Sequence, residues 1–167
     1  KRLGVQISEK SGYIICKCDR LRGNEIMLDC PSVGATENIM LAAVKAEGTT
    51  VIKNAAREPE IEDLQNFLNK TGAKITGAGS GTIRIDGVKK LCGCEYQPIP
   101  DRIEAGTFLI GAAMCGGEIT VDGAYPENIS SLIHKLTENG CKINKNNDKI
   151  VLENHTTLAS VKSIETR

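Results

Sequence analysis

The segment Leu28–Asn38 combines residue types that suit the binding of a phosphate group. It predicts the end of a strand, a Pro-Ser turn and the start of a helix, with Ser32 as the N-terminal cap. The backbone N–H groups of Val33, Gly34 and Ala35 then lie at the positive end of the helix, where Gly34 has no side chain to block close approach. Such an end can hold phosphate or pyrophosphate without a lysine. The alternative, which the local sequence favours, is that Ser32 only caps its helix.

A second predicted helix start, at Pro100–Thr107, has a different charge pattern. Asp101 and Glu104 have the spacing of a capping box, with Asp in place of Ser or Thr. A carboxylate at this position makes the helix end a poor site for an anion. Arg102 remains able to reach a neighbouring acid.

A third cluster surrounds the predicted helix start at Pro59, where Glu58, Glu60, Glu62 and Asp63 occur within six residues. Acidic side chains near a helix N-terminus complement the macrodipole, each by about 0.3–1 kcal/mol. The functional alternative is that Glu58 or Glu60 pairs with a cation lining a cleft, and the residues alone favour the first explanation.

Composition excludes several classes of protein. The 167 residues include 21 basic and 21 acidic side chains, five aromatic residues and no Trp. Nucleic-acid binding needs a basic face or stacking platforms, so no nucleic-acid partner is expected. No apolar stretch approaches the roughly 20 residues of a membrane span. The chain starts without a charged-then-apolar leader, so no secretion signal is expected. Because the first residue is Lys1 and not Met, we expect the chain to be a piece of a longer protein.

The seven cysteines are predicted to be reduced thiols of a cytoplasmic protein, because their number is odd and no leader precedes them. Cys16 and Cys18 are separated by one residue, as are Cys92 and Cys94. This spacing is too short for a zinc knuckle, and only His134 and His155 could add ligands, so no metal is expected. No cofactor is expected either.

An internal repeat organises the chain. Gly48-Thr-Thr-Val-Ile recurs as Gly117-Glu-Ile-Thr-Val, 69 residues later, and Gly72-Ala-Lys-Ile recurs as Gly140-Cys-Lys-Ile, 68 residues later. Each copy predicts a β-α-β-α-β-β unit, so the fold class is α/β (α+β), with two full units and the tail of a third. The core must be aliphatic.

The spacing of apolar residues and the positions of Gly and Pro predict where the helices of each unit lie. Helices are predicted over 34–47 and 103–115, and further helices are predicted to start at Pro59 and Pro126. Gln97-Pro-Ile-Pro100 resists joining a helix or a central strand, which favours a hinge between the units over an ordinary loop.

Three motifs carry a resemblance to a known family: Pro31–Asn38 (PSVGATEN), Asn54–Ile61 (NAAREPEI) and Pro100–Thr107 (PDRIEAGT). In this order, and inside the repeat, they resemble the enolpyruvyl transferases, in particular the UDP-N-acetylglucosamine 1-carboxyvinyltransferases of peptidoglycan synthesis. The resemblance implies an inverse α/β barrel of six βαβαββ units in two domains. Residues 1–97 then form the later part of one domain, 98–100 a hinge, and 101–167 the first unit of the other.

The resemblance also implies roles for individual residues. Cys30, Pro31, Ser32, Val33 and Gly34 fall where the family binds the nucleotide diphosphate. Some members have a Lys at the position of Cys30, so here backbone donors must supply more of the attraction. Glu58, Glu60, Asp101 and Arg102 are similar to polar residues that line the cleft near phosphoenolpyruvate.

The implied reaction transfers enolpyruvate from phosphoenolpyruvate to the 3-hydroxyl of UDP-N-acetylglucosamine, with release of phosphate. The family's catalytic loop falls outside this chain, so no catalytic residue is assigned and the isolated chain is expected to be inactive. Its implied partners are the two substrates and the remaining domain portions of the same protein. Apolar surface that those portions would otherwise cover favours self-association of the isolated chain. The alternatives are the shikimate-pathway enolpyruvyl transferase and a non-catalytic structural or UDP-sugar-binding module.

Overall fold

A computed structural model describes residues 1–155 and 157–160, and it divides into two compact units, Lys1–Ile99 and Pro100–Arg167. The first unit contains β1 (Gln6–Lys10), β2 (Tyr13–Lys17), β3 (Glu25–Met27), α1 (Val33–Ala43), β4 (Thr49–Lys53), α2 (Pro59–Lys70), β5 (Lys74–Thr76) and β6 (Thr82–Asp86). The second contains α3 (Arg102–Cys115), β7 (Gly117–Asp122), a 3-10 turn (Pro126–Ile129), α4 (Ser130–Glu138), β8 (Lys142–Lys145) and β9 (Lys149–Asn154).

The strand pairing confirms the internal repeat. In the first unit the sheet order is β3-β4-β6-β5, with β3 parallel to β4 and the other pairs antiparallel. In the second unit the order is β7-β9-β8, with both pairs antiparallel. Strands β7, β9 and β8 therefore correspond to β4, β6 and β5.

Each unit buries one face of its sheet under its own helices. Along β6 the side chains of Ile83 and Ile85 are fully buried while those of Thr82 and Arg84 are exposed, as expected for strand alternation. The corresponding strand β9 buries Ile150 and Leu152. Both cores are aliphatic, as the composition predicts.

Helix α1 ends at Ala43, four residues before the predicted end at position 47. The cause is a competing set of backbone hydrogen bonds. The N–H of Glu47 donates to the Leu21 carbonyl at 2.8 Å, and the Gly23 N–H donates to the Glu47 carbonyl at 2.8 Å. Glu47 is thus drawn into a parallel bridge with Arg22 instead of a last helical turn.

The second unit departs from the predicted βαβαββ pattern in two places. No strand precedes α3 in its described part, since Pro98 and Pro100 remove backbone donors just before the helix begins. The helix predicted to start at Pro126 begins instead as a 3-10 turn, closed by the Asn128 N–H donating to the Tyr125 carbonyl at 3.0 Å.

The hairpin of β1 and β2 matches the predicted tail of a further unit. It pairs antiparallel, with Ile7 opposite Cys16. Ile14 occupies the repeat position of Ile83, yet Ile14 is 75% exposed whereas Ile83 is 0% exposed. Within the part of the chain that the structure describes, both faces of this hairpin are largely uncovered.

The carboxylate of Asp63, in α2, accepts hydrogen bonds from two residues of the segment that ends the first unit. The Tyr96 hydroxyl donates to Asp63 Oδ1 at 2.6 Å, and the Ile99 N–H donates to the same oxygen at 3.3 Å. The Tyr96 ring also packs edge-on against Phe67, with 5.5 Å between ring centroids. The hydrogen bond to Asp63, followed by burial and the negative charge, raises the pKa of Tyr96 to about 12.

Tyr96→Phe is expected to lower the free energy of unfolding by about 1 kcal/mol near neutral pH, because it removes the hydroxyl donor. A phenol whose folded-state pKa is raised stabilises the fold below its unfolded pKa and loses that contribution as the pH rises through the folded value. The difference between the wild type and the variant should therefore shrink between pH 10.0 and about 12, as measured by urea unfolding.

Tyr13→Phe is the matched control, since Tyr13 is 74% exposed. It should leave both the stability and its pH dependence unchanged. A Tyr96→Phe variant with the wild-type pH profile would contradict the prediction.

Candidate anion-binding site

The parallel pairing of β3 and β4 brings two of the three sequence motifs to one edge of the first sheet. The chain leaves both strands at the same edge, into the loop before α1 and the loop before α2. The Leu28 N–H donates to the Lys53 carbonyl, and Asn54 Nδ2 donates to the Leu28 carbonyl, each at 3.0 Å. The two loops are therefore joined where they begin.

Ser32 caps α1, as its local sequence predicts. Its backbone is extended, with φ −131° and ψ 121°, and its Oγ accepts from the Ala35 N–H at 3.3 Å. The Ser32 carbonyl accepts from the Thr36 N–H at 2.9 Å. Among the described residues the N–H groups of Val33 and Gly34 have no acceptor, so the cap leaves two donors at the positive end of the helix.

The surface around Gly34, which carries one of these two donors, is open. Gly34 is exposed, and a Cβ built at this position would meet no heavy atom within 4 Å. Cys30 and Pro31 are also exposed, and Ser32 and Val33 are half-buried. The start of α1 is thus only partly covered by the chain of the first unit, and the Ser32 side chain occupies the Ala35 N–H.

The loop after β4 packs directly on α1. The Ala56 N–H donates to Thr36 Oγ1 at 3.1 Å, and Thr36 is fully buried. The Ala55 N–H donates to the Gly81 carbonyl at 3.1 Å, which ties the loop to the β5–β6 turn. An ideal Cβ on Gly81 would lie 3.0 Å from Arg57 Nη2, so the guanidinium of Arg57 lies over this turn.

The acidic residues of this loop lie at the start of α2. Glu58 is the N-terminal cap residue, but its side chain makes no capping bond, and its Oε2 accepts from the Arg57 N–H at 2.8 Å. Glu60 and Glu62 occupy the first turn, where carboxylates complement the helix dipole. Glu60 also makes a polar interaction of its own.

Asp101 fills the corresponding helix end of the second unit. Its Oδ1 accepts from the N–H groups of Ile103 at 2.8 Å and Glu104 at 3.1 Å. This confirms the predicted carboxylate cap. The Asp101 carboxylate supplies negative charge at the positive end of α3, which makes that end a poor site for an anion. Arg102, the first residue of α3, is half-buried and makes a polar interaction.

Two further findings concern metals and membranes. The seven cysteines are free thiols, and within residues 1–155 and 157–160 no three His, Cys, Asp or Glu side chains are grouped as metal ligands would be. In the same residues no helix has the length and apolar character needed to cross a bilayer.

Comparison with solved structures defines the class of fold. The enolpyruvyl transferase NikO from Streptomyces tendae superposes with a TM-score of 0.79 at 22% identity, over 91% of this chain and 40% of that one. An EPSP synthase from Acinetobacter baumannii superposes with a TM-score of 0.64 at 22% identity, over 95% of this chain and 39% of that one. The predicted α/β fold of the enolpyruvyl transferases is thereby confirmed.

The sequence comparisons give the family. The family model described as EPSP synthase (3-phosphoshikimate 1-carboxyvinyltransferase) matches residues 1–166, and the chain belongs to this family. UDP-N-acetylglucosamine 1-carboxyvinyltransferase 2 of Caldanaerobacter subterraneus subsp. tengcongensis is 65% identical over 150 residues, which are 90% of this chain and 36% of the relative. UDP-N-acetylglucosamine 1-carboxyvinyltransferase 1 of Symbiobacterium thermophilum is 62% identical over 84% of this chain and 32% of the relative.

These relatives confirm the resemblance to UDP-N-acetylglucosamine 1-carboxyvinyltransferases. The chain spans about a third of their length. Local sequence alone indicates no role for Thr36 or Asn54, although both belong to the quoted motifs. The repeat contained a signal for both, because Ala105 and Gly123 stand at the matched positions of the second unit.

The two helix caps are expected to differ in strength. Loss of an N-cap costs about 1 kcal/mol, and Asp101 accepts two N–H groups at shorter distances than the single 3.3 Å bond of Ser32. Asp101→Ala should therefore reduce the free energy of unfolding more than Ser32→Ala does, as measured by urea unfolding followed by circular dichroism. Asp101→Asn retains an acceptor and serves as the control, and a larger loss for Ser32→Ala would disprove the ranking.

Proposed function

We propose that this chain is part of a UDP-N-acetylglucosamine 1-carboxyvinyltransferase. The support is the 65% and 62% identity to relatives of that name, together with the open helix end at Ser32. In this reaction the sugar 3-hydroxyl adds to carbon 2 of phosphoenolpyruvate, giving a tetrahedral ketal. The ketal then loses phosphate to leave the enolpyruvyl ether, and no cofactor takes part. The reaction takes place in the cytoplasm. Its product serves peptidoglycan synthesis and hence cell-wall formation.

The observation that carries the proposal is the pair of unpartnered N–H groups at the start of α1. In our proposal the segment Cys30–Gly34 binds the diphosphate of the UDP-sugar, with the amides of Val33 and Gly34 as donors. The helix dipole adds a favourable potential of the same sign as a cation. These donors are fixed before the ligand arrives, so little reorganisation accompanies binding.

The remaining polar residues belong to the same proposal. Glu58, Glu60, Asp101 and Arg102 line the substrate cleft, and residues 98–100 act as a hinge between residues 1–97 and 101–167. The tie between Asp63 and the Ile99 N–H supports a hinge here, because the anchored segment ends directly before Pro100. The other domain portions of the same protein complete the cleft.

The shikimate-pathway enolpyruvyl transferase is the second candidate, because the matching family model bears its name. The much higher identity to the UDP-sugar enzymes favours the first candidate, since the A. baumannii EPSP synthase is only 22% identical. Parallel assays of the whole protein with UDP-N-acetylglucosamine and with shikimate 3-phosphate as acceptor separate the two.

Val33→Pro tests the diphosphate site, because it deletes one donor at a position that tolerates proline. Proline suits the first residue of a helix, and the extended backbone of Ser32 suits the residue before a proline. A hydrogen bond to a charged group is worth about 1.5–3 kcal/mol, so the affinity for UDP-N-acetylglucosamine should fall about 10- to 100-fold. Calorimetric titration of the whole protein measures this change.

Val33→Ala is the matched control, since Val33 packs against the core and both variants remove its branched isopropyl group, while only proline removes the N–H. It should bind the UDP-sugar about as tightly as the wild type. Wild-type affinity in Val33→Pro would count against the diphosphate role.

The isolated chain of 167 residues should not turn over. It retains the proposed diphosphate site, whereas the resemblance assigns the catalytic loop and most of the cations around phosphoenolpyruvate to parts of the protein outside it. A coupled phosphate-release assay with both substrates is expected to give the blank rate. Turnover above that rate would refute the prediction.

A further inference from the structure

Asn54, directly after β4, has a backbone conformation that glycine could adopt equally well. Its φ is 55°, in the left-handed region that disfavours most residues other than glycine. The repeat supplies a direct comparison, because Gly123 lies 69 residues later at the same point after β7 and has a φ of 73°. Both units therefore need a left-handed residue here, and glycine meets that need in the second unit.

The side chain of Asn54 has a specific partner. Its Nδ2 donates to the Leu28 carbonyl at 3.0 Å, while the Leu28 N–H donates to the Lys53 carbonyl at 3.0 Å. Both the N–H and the carbonyl of Leu28 are therefore hydrogen-bonded, two residues before Cys30. At the matched position of the second unit, Gly123 has no side chain that could make such a bond.

A second tie differs between the units in the same way. Buried Thr36 accepts the Ala56 N–H through Oγ1, and its repeat position is occupied by Ala105, which has no hydroxyl. The first unit, whose helix α1 starts with two unpartnered N–H groups, therefore has two side-chain hydrogen bonds between the loop after β4 and the chain around the start of α1. Neither residue type is retained in the unit whose helix end is filled by Asp101.

We infer that Asn54 is a positioning residue for the diphosphate site. By fixing the Leu28 carbonyl, it sets the path of the exposed segment Cys30–Gly34 and the direction of the Val33 and Gly34 N–H groups. This inference rests on the proposed function of that segment. Without the tie the segment must be ordered when the ligand binds, and the lost entropy weakens binding without altering the reacting groups.

Asn54→Gly in the whole protein isolates the side chain, because glycine keeps the left-handed backbone. We expect the KM and Kd for UDP-N-acetylglucosamine to rise about tenfold, in line with the loss of one hydrogen bond. The kcat and the KM for phosphoenolpyruvate should stay within about twofold of the wild type, a split that general loss of structure would not produce. Exchange of the Ala35 amide proton, which Ser32 Oγ protects, should become faster without any ligand present.

Ser11→Gly is the control, since Ser11 is the other non-glycine residue with a positive φ in the part of the chain that the structure describes. It makes the same kind of backbone change in the β1–β2 turn and should leave every parameter unchanged. Asn54→Asp is the second test variant, because it keeps the shape but replaces the donor by a carboxylate. We expect it to weaken UDP-sugar binding more than glycine does.

The outcomes separate the inference from the function on which it rests. A wild-type protein that binds no UDP-N-acetylglucosamine would refute the proposed function. A wild type that binds it, with either Asn54 variant binding equally well, would overturn the positioning role alone. Unfolding of both variants, or an equal loss in both substrates' KM values and in kcat, would assign Asn54 to the general fold and would also overturn it.

Discussion

The parallel contact between β3 and β4 is the constraint on which the rest of the first unit depends. Antiparallel neighbours would send their following loops to opposite edges, whereas parallel neighbours send them to the same edge. Here the result is that the turn entering α1 and the turn entering α2 start side by side, at Leu28 and Asn54. The helix dipoles, the exposed amides and the acidic residues of α2 all acquire their positions from this pairing.

The repeat shows how one backbone plan supports two different electrostatic outcomes. Both helices that follow the matched turns are capped by a side-chain oxygen, yet Ser32 is neutral and Asp101 is charged. A neutral cap satisfies one donor and leaves the helix potential available to a ligand, while a carboxylate offsets that potential within the chain itself. The matched residues Ser32 and Asp101 thus give the two helix ends different charges.

Local patterns predicted the parts of this fold that are decided locally. The helix starts near Ser32, Pro59 and Asp101, the repeat and the aliphatic core all follow from spacing, proline placement and composition. The early end of α1 did not, because it depends on Glu47 pairing with residues far back in the chain. The repeat distinguishes Asn54 and Thr36 from their matched residues, but local patterns do not identify their partners Leu28 and Ala56, which lie about twenty residues or more away in the chain. The cleft roles of Glu58, Glu60, Asp101 and Arg102 stay predictions.

The uncovered β1–β2 hairpin bears on the order in which the molecule loses structure. A two-stranded ribbon is marginal in water by itself, and this one leaves Tyr13 and Ile14 about three-quarters exposed. Its opening removes few buried contacts, so it should separate from the remainder well before the four-stranded sheet melts. A protease added under native conditions would then cut first near Ser11 and Gly12, at the tip of the ribbon, and leave the sheet that carries Ser32 and Asn54 intact.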